Sequence, residues 1–302
     1  MYFLSDIDSK LLIKKLIPHS RKVGVSEDLR GWSWHKSPMK PYYDSEDIPM
    51  YLVCSKYCPT NRDVFLNRIK GIRGEVTFAL SMGLTIHEIV SHAILEFLEG
   101  KKRSFEDFWK ENSHHVRYKG MDAKGLEFIR ESAASAWNYT QINCNAAYCN
   151  MHAEQPFAKE RDLVSTAIPF LVEHRLSGKL LGLSGILGID CYDYLRGIVY
   201  DLKVVKIGGK LEDWSRLYPT GYALVLESIY EIPIDIGCVL SVNFVNGRMN
   251  VKKEYFFISD ELRSWWIEER DKKLEIVSQK KDPGICQKCP EDCIYWNECR
   301  GS

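Results

Sequence analysis

Four cysteines crowd the last seventeen residues, Cys286, Cys289, Cys293 and Cys299, spaced C-x2-C-x3-C-x5-C. This feature constrains the fold more than any other. Thiolates are soft donors suited to zinc or iron-sulfur centres, and a C-x2-C pair puts two sulfurs on one tight turn within reach of a single centre. The chain around them must wrap sulfur-inward. The spacing points firmly to a metal and leaves open which metal. The alternative, a pair of disulfides, belongs to an oxidising compartment. The N-terminal stretch argues against one: Asp6 and Asp8 precede any basic residue, and no apolar run is long enough for a signal peptide or a membrane span. A cytoplasmic protein with reduced thiols and no membrane association is expected.

A length of 302 residues with 45% hydrophobic composition is ample for a large core. Lys+Arg and Asp+Glu both total 41, so no global field attracts a polyanion and any nucleic acid must be held locally. The basic stretches Lys14-Lys15 with Arg21-Lys22, Arg68 to Arg73 and Lys272 to Lys281 are first of all solvated faces.

Hydrophobic periodicity predicts a short helix from Ser9 to Ile17 ended by Pro18, and helical structure from Arg62 to Glu99 capped by Gly100. Residues 104–162 also read as helical, with a break at Asn143 to Asn150. At Ala167 the period changes. Strands are expected over Ile168–Glu173, Leu180–Tyr192, Ile198–Val204, Val239–Phe244 and Arg248–Phe257, with helices over Ser215–Glu227 and Asp260–Val277. The fold class is therefore α+β, a sheet-bearing centre flanked by helices. Four regions follow: 1–70, 71–165 with His87, a core at 166–265, and 266–302 with the late cysteines.

Asp201-Leu202-Lys203 lies in a predicted strand, so Asp201 and Lys203 share a face. If Asp190 and Asp201 sit on the arms of one hairpin, its midpoint falls beside Gly197 and the two carboxylates oppose one another, about 5 Å apart at Cβ. Like charges so close invite a divalent cation, with magnesium and manganese the natural choices for phosphodiester hydrolysis. Lys203 would orient the attacking water or stabilise the transition state. Asp193 competes for the same role but faces the other way unless a bulge intervenes. A lone D-x-K is more often a surface ion pair, so context must support it. His87 supplies context, on a helix face shared with Leu80, Gly83, Leu84, Val90 and Ile94, pointing inward; a satisfied core histidine is the plainer explanation. His92 reads as exposed.

The order His87, Asp190, Asp201-x-Lys203, then a tyrosine-bearing helix, with an early cysteine and a late cysteine cluster, resembles the RecB-like PD-(D/E)xK exonucleases that carry an iron-sulfur cluster. Within them the chain is similar to the CRISPR-associated exonucleases of the archaeal type I-A subgroup, through Leu29-Arg30-Gly31-Trp32, the segment Tyr57-Cys58-Pro59-Thr60-Asn61-Arg62-Asp63-Val64, and Gly182-Leu183-Ser184. The resemblance implies a restriction-endonuclease-like mixed sheet flanked by helices. It also implies a magnesium- or manganese-dependent DNA exonuclease that trims protospacer DNA before integration, acting on single-stranded DNA or single-stranded ends beside CRISPR spacer-integration proteins. By that likeness His87, Asp190 and Asp201 are metal ligands, Lys203 is the catalytic lysine, and Tyr222 is the tyrosine of a Q-x3-Y helix motif whose glutamine is here Tyr218. Glu173 is an additional candidate for the metal.

A 4Fe-4S cluster tying the chain's two ends together is implied too, on Cys58, Cys286, Cys289 and Cys299. Cys289, Cys293 and Cys299 could instead complete the set with Cys58, or the four late cysteines could hold one zinc. Cys54, Cys144, Cys149, Cys191 and Cys238 read as small buried apolar residues. A non-catalytic DNA-binding or scaffold subunit is the competing functional class. No P-loop is present, so any motor would be another chain.

Overall fold

A computed structural model of the protein describes residues 1–101, 103–245, 247–287, 289 and 293–300. Its first helix, α1 (Asp6–Leu11), opens on a Ser5/Asp8 capping box and passes through a π turn, Leu12–Leu16, into α2 (Ile17–Val23). Pro18 was expected to end this helix and does not. The widened turn pairs the Ile17 N–H with Leu12 O and brings Pro18 into the opening of α2, where its missing N–H costs least.

The predicted helix from Arg62 to Glu99 is two helices. After α3 (Met50–Cys54), α4 (Arg62–Arg68) stops short of Gly71, which has φ +67°, and of Gly74, whose missing Cβ leaves room for Ile294. Helix α5 (Phe78–Leu98) then starts on a Thr77 cap and ends before Gly100 at φ +71°. Next come α6 (Phe105–Asn112), α7 (Ala123–Glu154) and α8 (Glu160–Ala167). The break expected at Asn143 to Asn150 is absent, because the Asn143 and Asn145 amides donate back to the Tyr139 and Gln141 carbonyls and stay inside the helix.

The strands β1 (Phe170–Leu176), β2 (Leu187–Asp193) and β3 (Ile198–Val204) form an antiparallel meander. Helix α9 (Leu217–Tyr230) crosses over to β4 (Ile236–Val245), which runs parallel to β3; β5 (Arg248–Phe257) closes the far edge antiparallel to β4, in the order β1-β2-β3-β4-β5. Helices α10 (Asp260–Gln279) and α11 (Trp296–Arg300) end the chain. The result is the expected α+β arrangement, a mixed sheet between helical layers.

Each sheet face covers a core. On one, Ile86, Ile89, Val90 and Ile94 of α5 and Ile129 and Trp137 of α7 pack on Tyr200, Leu202 and Cys238. On the other, Leu224 and Val225 of α9 and Trp266 and Leu274 of α10 pack on Val199 and Val239. Burying each large aliphatic side chain contributes about 1.5–3 kcal/mol. Among the described residues, α5 alone is long and apolar enough to span a bilayer, but half of that window is buried in the protein, as befits a core helix. The N-terminal segment docks on the second layer through Glu227, a fully buried carboxylate that accepts from Arg30, the Gly31 and Ile234 amides, and both Arg263 amino groups at 2.7–3.0 Å.

Candidate active site

Asp190, Asp201 and Lys203 meet where β2 and β3 part. The ladder between these strands runs from Asp193↔Ile198 to Cys191↔Tyr200 and stops one step before Asp190 would face Asp201. The Leu202 N–H donates to Asp190 Oδ2 at 2.7 Å, so a side chain takes the place of a backbone acceptor. The β1–β2 pairing skips a rung at the same level, between Val172↔Cys191 and His174↔Ile189. There Glu173 adopts φ +47°, a conformation costly for a non-glycine residue, while the register is the same on either side of it. Glu173, Asp190 and Asp201 thus occupy one row across three adjacent strands.

Helix α5 closes this row from above. His87 Nδ1 lies 3.2 Å from Asp190 Oδ1. One turn on, the Ser91 hydroxyl lies 2.9 Å from its own helix's His87 carbonyl and 3.2 Å from Glu173 Oε1. One donor atom from each of His87, Glu173 and Asp190 falls within 4.8 Å of the others, a spacing that suits a metal ion. Asp201 stands outside that trio. The helix face differs from expectation: Leu80 and Leu84 are exposed, and the buried stripe is Met82, Ile86, Ile89, Val90, Ala93 and Ile94. His87 therefore sits at the rim of the core, where an imidazole can reach both Asp190 and solvent. His92 is half-buried against Phe108 rather than exposed.

Electrostatics separate the two aspartates. Burial works to raise the Asp190 carboxyl, but His87, Lys203 and the Leu202 amide outweigh it and hold the carboxyl below its ordinary value. Burial dominates at Asp201, which is pushed up to about 6 despite Lys203. The Lys203 ammonium donates to Asp201 Oδ1 at 3.0 Å; Oδ2 lies 2.9 Å away without hydrogen-bonding geometry and is a buried oxygen with no partner. A buried carboxylate oxygen left orphaned is costly and is a ready donor to a cation. For Lys203, burial disfavours the charge, but Asp201 and Asp190 more than offset it and raise its pKa.

Tyr218 occupies the position where the resembled motif has glutamine, and its ring lies under Lys203, Nζ 3.6 Å from the centroid. It cannot present an amide, yet it fixes the lysine's aim. Tyr222, one turn later on α9, is held protonated by burial first and then by the nearby charges of Asp190 and Asp201. Asp193 is confined to the hairpin turn. Fully buried, it accepts from the Leu195 and Arg196 amides and pairs with the Arg196 guanidinium at 2.8 Å. Two contributors escaped the sequence reading, Ser91 and the aromatic role of Tyr218. The i+4 spacing of Ser91 from His87 was the available signal for the first.

The expected cysteine site lies before the start of α4 and beyond the end of α10. Among the described residues no two cysteines are bonded. Burial raises the Cys289 thiol, and so do Cys286, Cys58 and Cys293; burial likewise raises Cys293, with Cys58 and Cys299 adding to it. Cys58, Cys286, Cys289, Cys293 and Cys299 therefore lie near enough to bear on one another's ionisation, though among the described residues no three of their sulfurs come within 4.8 Å of one another. Cys58 Sγ is 3.6 Å from Thr60 Oγ1, which donates to Gly284 O at 2.9 Å, and Arg62 Nη1 is 3.2 Å from Cys299 Sγ. This soft donor set fits a thiolate-bound centre. Cys54, Cys144, Cys191 and Cys238 are buried as expected, whereas Cys149 is exposed on the outer face of α7.

A sequence model of the family described as CRISPR-associated exonuclease Csa1 matches residues 1–302. Two curated relatives carry the same name. The protein from Saccharolobus solfataricus is 30% identical over 301 residues, covering 96% of this chain and 97% of its own length. That from Thermoproteus tenax is 27% identical over 288 residues, covering 91% and 92% respectively.

Proposed function

The chain belongs to the Csa1 family of CRISPR-associated exonucleases, and from that premise we propose that it is a magnesium- or manganese-dependent deoxyribonuclease that trims protospacer DNA before spacer integration. Its substrate is single-stranded DNA or duplex with single-stranded ends, and it works in the cytoplasm beside the spacer-integration proteins. The observation that carries this reading is the row of Glu173, Asp190 and Asp201 under His87, with an orphaned carboxylate oxygen beside a charged lysine.

His87, Asp190 and Asp201 would hold the ion, with Glu173 able to join them. When bound, a divalent ion supplies a lowered water pKa and positive charge at the phosphate. The chain's own residues do the rest. Asp190 is held ionised and anchored to the Leu202 amide, which keeps its second oxygen facing His87. Lys203 stays protonated and stabilises charge building on the phosphate oxygens. Tyr218 restricts the rotamers of that lysine, and Tyr222 walls the site on the α9 side.

At the cysteine end, a 4Fe-4S cluster would be held by Cys58, Cys286, Cys289 and Cys299, with Cys293 the neighbouring spare thiol. It would supply a covalent tie between the early and late parts of the chain.

Cleavage of single-stranded DNA in Mn2+ tests the reading. Asp201→Ala should lower the rate by at least about a hundredfold. Unchanged cleavage in that variant would remove these residues from catalysis. The replacement of glutamine by Tyr218 favours a second reading, a DNA-binding scaffold with a vestigial site. DNA binding with no cleavage by wild-type protein in either metal would select it.

A further inference from the structure

The catalytic lysine is the inner end of a row of aromatic rings. Tyr218 lies beneath Lys203, Trp214 is 6.4 Å from Tyr218 between centroids, and Tyr57 is 5.1 Å from Trp214 in an edge-on arrangement at 75°. Exposure rises outward: Tyr218 and Trp214 are half-buried, while Tyr57 is 72% exposed. The rings come from two parts of the chain, with Trp214 and Tyr218 four residues apart where a 3₁₀ turn runs directly into α9. Tyr57 lies in the segment after α3, Trp214 in the 3₁₀ turn Asp213–Arg216, and Tyr218 in the first turn of α9. Helical spacing sets Trp214 beside Tyr218, and tertiary structure alone brings Tyr57 to that pair.

Core packing does not account for the outermost ring. A tyrosine left open to water at the end of a row that leads to Lys203 offers a flat, amphipathic face continuous with the catalytic centre. Two exposed lysines lie on the loop that leads to the row. The loop 205–212, which joins β3 to the Trp214 turn, carries exposed Lys206 and Lys210 and runs into exposed Glu212 and Asp213, while Lys56, before Tyr57, is paired with Glu269 at 2.6 Å. Single-stranded nucleic acid is held by this combination, cations along the backbone and aromatic faces for unpaired bases. A duplex keeps its bases stacked inside and gains nothing from such a face.

We propose that the row Tyr57–Trp214–Tyr218 is a stacking track for the unpaired bases of a DNA strand, with Tyr57 receiving a base one to two nucleotides from the phosphate at Lys203. The track rests on the nuclease reading for its orientation, and its test reads binding rather than cleavage.

Fluorescence anisotropy of a labelled oligo-dT strand, with Ca2+ replacing the hydrolysing metal, measures the effect in the full-length protein. Tyr57→Ala and Tyr57→Leu should weaken binding by about 5- to 100-fold, while Tyr57→Phe stays within about twofold of wild type, and a blunt duplex is bound equally by all four. A 2-aminopurine placed near the strand end should be quenched by wild type and by Tyr57→Phe only. The proposal is overturned if Tyr57→Ala, with unchanged circular dichroism and thermal midpoint, binds the strand as wild type does. It is equally overturned if the loss is the same for blunt duplex. A strand bound through Tyr57 but never cut in Mg2+ or Mn2+ would uphold the track and remove the nuclease reading; a strand cut normally without Tyr57 dependence would remove the track alone.

Discussion

Asp201 is the residue on which the site's pH behaviour turns. Burial raises its pKa from the usual 3.8 to about 6, so the fold holds its proton more tightly than the unfolded chain does. The stability this confers is present below the ordinary pKa and is lost as pH rises through about 6, where the metal-free protein must carry a buried carboxylate. His87 is also raised: burial lowers its pKa, but Asp190 outweighs that. A bound metal must displace both protons. Calorimetric titration with Mn2+ should therefore show affinity falling by about tenfold or more per pH unit below pH 6, and Mn2+ should raise the thermal midpoint more at pH 7 than at pH 5. Affinity that stays flat to pH 5 would contradict this assignment. The placement of Asp190, Asp201 and Lys203 was legible from parity and from the hairpin midpoint alone, since side chains alternate strictly along a strand. Glu173 was only faintly visible. Its place in the row depends on a positive φ that no local pattern announces.

Most strands and the cores of the long helices followed their hydrophobic periods, but the strand expected over Leu180–Tyr192 begins only at Leu187, after a 3₁₀ turn at Lys179–Leu181, and other errors fall where one residue's competing preference was absorbed by its surroundings. Pro18 was accommodated by a π turn, the asparagines of α7 by bonds within their own helix, and α5 rolled so that Leu80 and Leu84 faced out. A histidine on a mostly apolar helix does not reveal which side of the stripe it occupies. The Leu29–Trp32 segment shows the limit most clearly. It is a docking element: Arg30 and Gly31 bind Glu227 on α9, and a Cβ on Gly31 would lie 2.0 Å from the Leu224 carbonyl. Because Glu227 ties this segment to α9 and α10, Glu227→Gln should cost about 3 kcal/mol by leaving buried guanidinium groups underpaired, measured by urea denaturation at pH 7. Burial works against this carboxylate, but Arg263 and the surrounding donors hold its pKa below 4.5. That contribution is present above the ordinary value and fades as pH falls through the lowered one, so the gap between variant and wild type should narrow toward pH 3. A cost below about 0.5 kcal/mol would show that the network is not what anchors α9.

For the whole molecule, a centre held by Cys58 and Cys299 would close a loop over most of the sequence. Closing so long a loop restricts the unfolded state far more than a local zinc knuckle could. Anaerobically purified protein should absorb broadly near 400 nm, and Cys58→Ser should lose that band and lower the thermal midpoint by roughly 10 °C. Cys293→Ser should keep both. A colourless, zinc-loaded protein indifferent to Cys58 would make the site purely local. The late cysteine spacing already marked a metal in the sequence, but spacing alone does not choose four thiols from five.

The most direct test of the nuclease account is anomalous scattering from crystals soaked in Mn2+. A peak bounded by His87, Asp190 and the orphaned Oδ2 of Asp201, with Glu173 at its edge, is the expected result. Ordered Mn2+ bound elsewhere with that row empty, in protein that still degrades single-stranded DNA, would contradict it.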